Sequence, residues 1–168
     1  MWRVYNLLLP LTRCLPRCSR AYVGTGEQDI AYVNFKVSQP PVLRAPEEAS
    51  RIVEQFLRGI PNPVSITLRQ ADFEQVRNSN VKEWREVANW LQREGFRVIY
   101  VPDAEALMNG CAASMPGTPY EAASLMPELL LALYEQCKMN LITNQGRMVF
   151  ALMSQAPVMA FKMLIPEL

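Results

Sequence analysis

The 168-residue sequence contains no histidine. That removes the commonest general base and the commonest metal ligand from any chemistry the chain could perform. No apolar run approaches the roughly 20 residues that a membrane-spanning helix needs. Charge is nearly balanced, with 17 Lys and Arg against 16 Asp and Glu. No basic stripe stands out, so nucleic acid is not an expected partner. No acid precedes Glu27, whereas Arg3, Arg13, Arg17 and Arg20 fall in the same stretch. An acid-poor, arginine-bearing start can be a transit peptide. The preferred reading is a surface helix with a basic face, broken at Pro10 and Pro16, because "YNLLLPL" is short for a secretory core.

What is present reads as an ordinary globular domain, 50% apolar and 20% charged. Of the four cysteines, Cys14 and Cys18 are spaced C-x3-C, which fits neither a zinc ribbon nor a redox C-x-x-C. The set reads as the reduced thiols of a cytoplasmic protein, with Cys137 on an apolar helix face. Neither a metal nor a cofactor is expected.

Hydrophobic periodicity alternates between two patterns along the chain. "PEEASRIVEQFLRG" (46–59) reads as a helix, and "PVSITLR" (63–69), β-branched and ending on a charge, as a strand. "NVKEWREVANWLQREG" places Val81, Trp84, Val87, Ala88 and Leu91 at helical spacing. Asn80, with Glu83 three residues on, looks like a capping box, and Gly95 like the stop. "FRVIYVPD" (96–103) is a second strand. Residues 104–123 read as a loop with one short helix. "SLMPELLLALYEQCK" (124–138) reads as a strong helix with Leu125, Leu129, Leu130, Leu133, Tyr134 and Cys137 on its apolar side. "NLIT" is a third strand, "GRMVFALMSQ" a short helix and "PVMAFK" (157–162) a fourth strand. Strands separated by helices predict an α/β, Rossmann-like open parallel sheet of about four core strands with helices on both faces. Trp84, Leu91, Ile99, Leu129, Leu133, Ile142, Leu152 and Met159 are the expected core.

Two polar loops interrupt this pattern. Asn144, Gln145, Gly146 and Arg147 leave the end of one strand and open a helix. In an open parallel sheet, ligands bind outside the carboxyl ends of the strands. A helix N-terminus there offers N–H groups, and a glycine admits close approach, so the tetrapeptide suits a phosphate or diphosphate. Arg69, Arg77, Asn78, Ser79 and Asn80 follow another strand and belong to the same edge. Their arginines could clamp phosphate oxygens, and the asparagines and serine could serve sugar hydroxyls. The plainer reading is a capped helix and a solvated turn. Asp72, Glu74 and Asp103 are the nearest candidate acids or bases, and none has a spacing that singles it out.

From residue 60 to 162, the order "SITLR … VIYVPD … NLITNQGRMVFALMSQAPVMAF" resembles the C-terminal, nucleotide-sugar-binding half of heptosyltransferase-like enzymes, glycosyltransferases built of two Rossmann domains. That family carries a D-S-G-x-x-H-x-A-like turn and then a Pro-led strand. Here the place is held by Asn144, Gln145, Gly146, Arg147, Met148 and Val149, followed by Ala156 and Pro157. The glycine and the Pro-led strand match; the acid, the serine and the histidine do not. "TLR" (67–69) is similar to the H-x-R of fucosyltransferase-like relatives, again without the histidine.

The resemblance implies a domain that binds or transfers a nucleotide-activated sugar, the sugar nucleotide being donor substrate rather than cofactor. It also implies a fragment. Residues 1–45 would be an N-terminal helical or extended segment and linker, and residues 46–168 a Rossmann-like domain truncated at both ends. Its partner would be a missing N-terminal domain or a second copy, and apolar surface would be exposed at the end of the chain. The alternative is a non-catalytic α/β module for binding or assembly, which the missing histidine and acidic turn favour.

Overall fold

The computed structural model describes residues 43–72 and 75–162. The basic start, Cys14, Cys18 and Glu74 lie outside the described residues.

The first helix, α1 (Glu47–Leu57), has acids in its opening turn, where the helix dipole favours them. It buries Ala49 and Val53, one turn apart. Strand β1 (Pro63–Thr67) follows, and a single 3₁₀ turn (Gln75–Arg77) leads into α2 (Val81–Arg93). Helix α2 buries Trp84, Ala88 and Leu91, a stripe with the period of a helix packed on a sheet. It ends where expected. Gly95 stands at φ 85, and the N–H of Phe96 reaches back to the carbonyl of Leu91 at 3.0 Å.

Strand β2 (Arg97–Val101), helix α3 (Ala104–Met108), strand β3 (Thr118–Pro119) and helix α4 (Ala122–Leu125) come next. They are followed by α5 (Pro127–Gln136), β4 (Met139–Thr143), α6 (Met148–Leu152) and β5 (Val158–Phe161).

The five strands form one parallel sheet in the order β3-β2-β1-β4-β5. Thr67 of β1 lies beside Val101 on one side and Ile142 on the other. The four expected strands are there and parallel. The fifth, β3, lies within the stretch read as loop; two residues ending on proline carry no strand pattern.

Alternating strand residues divide the core into two layers. On one face Ile99, Val101 and Ile142 meet α5, which buries every residue from Leu129 to Tyr134. On the other face Val64, Ile66, Leu68, Val98, Tyr100 and Leu141 meet Trp84, Ala88 and Leu91 of α2. Asn140 is fully buried and ties neighbouring segments together. It accepts from the Ser65 hydroxyl at 2.6 Å and donates to the carbonyls of Tyr134 and Pro157 at 2.8 and 2.9 Å.

Several expectations need correction. The helix read over 124–138 is two, because Met126, preceding Pro127, is extended at φ −116 and ψ 103. Pro127 then opens α5 from its first turn, where its missing N–H costs nothing. Leu125, left on the short α4, is exposed rather than apolar-facing. Cys137 lies just past α5 but is buried, and burial pushes its thiol up to about 12. Leu152 and Met159, expected in the core, are 53% and 50% exposed. Leu152 ends a helix of only five residues, and Met159 sits on an edge strand beyond the reach of α2. The other six expected core residues are buried.

Candidate functional site at the carboxyl ends of β1 and β4

Strand order fixes where a ligand would fit. From β1 the chain runs through α2 to β2 on one side, and from β4 through α6 to β5 on the other. Helices α2 and α6 pack on opposite faces. The connections therefore diverge between β1 and β4, which makes the carboxyl ends of that pair the topological switch point of an open sheet, where such folds bind ligands. The loop after β1 carries Arg69 and Arg77–Asn80; the turn after β4 carries Asn144–Arg147. The two loops touch directly. The hydroxyls of Ser79 and Thr143 lie 3.1 Å apart, and the Gln145 amide donates to the carbonyl of Thr67 at 3.2 Å.

Most of the expected site residues are bonded to the protein itself. Arg69 is 7% exposed. Its backbone N–H donates to the Ser79 hydroxyl at 3.0 Å, and its guanidinium to the Asn78 side-chain oxygen at 2.6 Å. That oxygen also accepts from the N–H of Ala71 at 3.0 Å, while the Asn78 amide donates to the Ala71 carbonyl at 2.8 Å. Arg77, half-buried, closes the 3₁₀ turn.

In the turn after β4, Arg147 donates to the carbonyl of Pro102 at 3.0 Å and to the side-chain oxygen of Gln145 at 3.2 and 3.3 Å. Its guanidinium lies 3.7 Å from Asp103. Asp103 in turn caps α3 through the Glu105 N–H at 3.0 Å and holds the Gln70 N–H at 3.1 Å. Asp103 in this way fastens the loops after β1 and β2 to one another. Asp72 is exposed, its backbone N–H held by Glu105 at 3.2 Å. Nearby, burial pushes the Tyr100 hydroxyl up to about 12; Arg147 pulls it down and Asp103 pushes it further up.

Among the described residues, the side chains of Asn80 and Asn144 remain uncommitted, and Gly146 is open to solvent. Asn80 is exposed and stands before α2, yet its side chain makes no cap hydrogen bond, so the expected capping box does not form. The Asn144 side chain has no partner among the described residues, although its N–H holds the Phe161 carbonyl at 3.0 Å. Gly146 is exposed, its φ is not left-handed, and a Cβ there would meet open space. The helix it precedes is weaker than its sequence suggested. Helix α6 has five residues, and the N–H groups of Met148, Val149 and Phe150 already bond to the carbonyls three residues back.

Sequence reasoning missed Lys162. Its ammonium spans the end of β4 to the Asn78 carbonyl at 2.6 Å, from a backbone at φ 54. That left-handed conformation costs a non-glycine residue about 1–2 kcal/mol. Beside it, between α2 and β5, lies a groove of about 300 Å³ walled by Trp84, Val87 and Phe161, with Asn80, Thr143 and Lys162 at its rim. Among the described residues no cluster of acids and cysteines gathers as a metal site, and no helix is long and apolar enough to cross a membrane.

No protein-family model and no curated protein matches the sequence. Solved structures that match share the fold, two of them as follows. The glycosyl transferase family 9 from Veillonella parvula DSM 2008 superposes with a TM-score of 0.56 at 15% identity over 71% of this chain. The E. coli ADP-heptose lps heptosyltransferase II gives 0.55 at 16% identity, also over 71%. The chain spans 36% and 39% of the length of those two structures. It therefore has the Rossmann-like α/β fold found in glycosyltransferase structures.

Proposed function

We propose that this chain is a glycosyltransferase-like domain that binds a nucleotide-activated sugar by its diphosphate, in the crevice between β1 and β4. The observation that carries this reading is the pair of uncommitted asparagine amides, Asn80 and Asn144, which flank the topological switch point beside an unobstructed Gly146. The two fold neighbours, a glycosyl transferase and an ADP-heptose lps heptosyltransferase, support the same ligand class. The bonded arginines, buried Arg69 and half-buried Arg147, hold the two loops in place and lend the crevice positive potential; the amides and the Gly146 backbone meet the ligand. In sugar transfer such a site stabilises the charge that develops on the departing diphosphate. The activated sugar is substrate, and the reading requires no cofactor. An acceptor-binding domain, or a second copy, would complete the enzyme.

Thermal unfolding with nucleoside diphosphates and their sugars tests this. At ligand a hundredfold above its dissociation constant, linkage adds about 2.7 kcal/mol. Each kcal/mol raises the midpoint of a domain this size by roughly 2–4 °C. The rise should vanish in Asn144→Ala/Gly146→Val while the free protein stays folded. No rise with any nucleotide at millimolar concentration favours the second reading, a non-catalytic binding or assembly module. That reading is supported by the Arg147–Gln145–Asp103 network, which already satisfies much of the turn after β4.

A further inference from the structure

The geometry points to the groove between α2 and β5 as the seat of the nucleoside part of that ligand, with Lys162 on its phosphate; this rests on the diphosphate-binding reading above. The groove opens at the same end of the sheet, next to Asn80 and Thr143. Its wall is aromatic and aliphatic. Trp84 and Phe161 meet edge to face, centroids 4.9 Å apart at 84°, and Val87 lies one turn further along α2. Such a wall suits the apolar face of a flat ring. About 300 Å³ is the lower end of small-ligand pockets, enough for a base and its ribose but not for a large lipid.

The rim narrows the choice further. Lys162 has no carboxylate partner among the described residues; its ammonium rests on a neutral carbonyl, which a phosphate oxygen can replace with a stronger, charge-assisted bond. Glu83, also on the rim, repels a phosphate placed beside it but accepts hydrogen bonds from a ribose diol. A ligand with its ring against Trp84 and Val87, its diol at Glu83 and its anion at Lys162 matches all three. From Lys162 the diphosphate continues across the end of β4 toward Asn144 and Gly146, since the Asn144 N–H bonds to Phe161.

Calorimetric titration of ADP, GDP, UDP and CDP into the 168-residue chain decides the matter. Two variants are compared with the parent. Val87→Trp fills the groove from its exposed side, and Lys162→Gln removes the charge without shortening the reach. At least one nucleotide should bind the parent, and each variant should weaken it about tenfold or more, the loss expected for one charge-assisted bond or one blocked ring site. If either variant binds that nucleotide as tightly as the parent, the groove is not its seat, while the crevice reading stands. If the parent binds none of the four, both readings fall together.

Discussion

The two ends of the sheet each carry a groove of about 300 Å³, but they are built from different materials. At the amino ends of the strands the lining comes from Gly59, Ile60, Pro61, Gln92, Arg97 and Gly117. Glycine here serves geometry. Gly117 stands at φ 119, and a Cβ on it would lie 2.5 Å from the carbonyl oxygen of Val98, because β3 runs close against β2. At the carboxyl ends Gly146 has an ordinary backbone and open space above it. In the surrounding loops arginine, asparagine, aspartate and lysine side chains are joined to neighbouring segments by hydrogen bonds. One end closes turns; the other holds polar groups in fixed places at the switch point, where the fold leaves room for a ligand.

The sharpest way to break this contrast is a matched pair of substitutions. Gly117→Ala should destabilise the fold by about 3 kcal/mol, from the left-handed backbone together with the collision with β2. Gly146→Ala should change stability by less than about 0.5 kcal/mol, as a substitution into open surface. Urea unfolding measures both; equal costs would mean the two ends are alike. Within the carboxyl end, Asp103→Ala should cost about 2 kcal/mol, because it strips the cap from α3 and leaves the Gln70 N–H without its acceptor. A neutral result would mean these loops are held by something other than the Asp103 network.

The sequence revealed the architecture better than the site because the signals differ in range. Strand and helix patterns are local, and "SITLR", "RVIYV" and the Trp84–Leu91 stripe each carry their own period. The errors fall where local pattern yields to position. Met159 alternates correctly but lies on an edge strand, and Leu152 ends a five-residue helix that turns only Met148 and Ala151 into the core. Which loops matter was legible, since each follows a strand's carboxyl end. What each residue does there was not. Arg69 meets Asn78 and Arg147 meets Pro102 only after folding, so side chains that read as ligand clamps prove to be bonded within the protein. Lys162 and its groove had no local signature at all, being created where α2 meets β5 in the folded chain.

A smaller effect should appear in alkaline solution. Burial pushes Tyr100 on β2 and Tyr134 on the sheet-facing side of α5 up to about 12, from an ordinary value of 10.0. The unfolded chain therefore loses these protons first. The stability they contribute is complete below pH 10.0 and is lost as pH rises toward 12. Arg147 lowers both hydroxyls, so Arg147→Met should move both folded-state midpoints upward, read by phenolate absorbance. Unchanged midpoints would place the Arg147 charge too far from both rings to matter.

Backbone amide shifts in an ¹⁵N-labelled chain, followed while nucleoside diphosphate sugars are added, compare the two ends in one experiment. Binding at the switch point predicts that the largest shifts fall on Asn80, Asn144 and Gly146. Shifts gathered instead at Gly59, Arg97 and Gly117, or no shifts at saturating ligand, would contradict it.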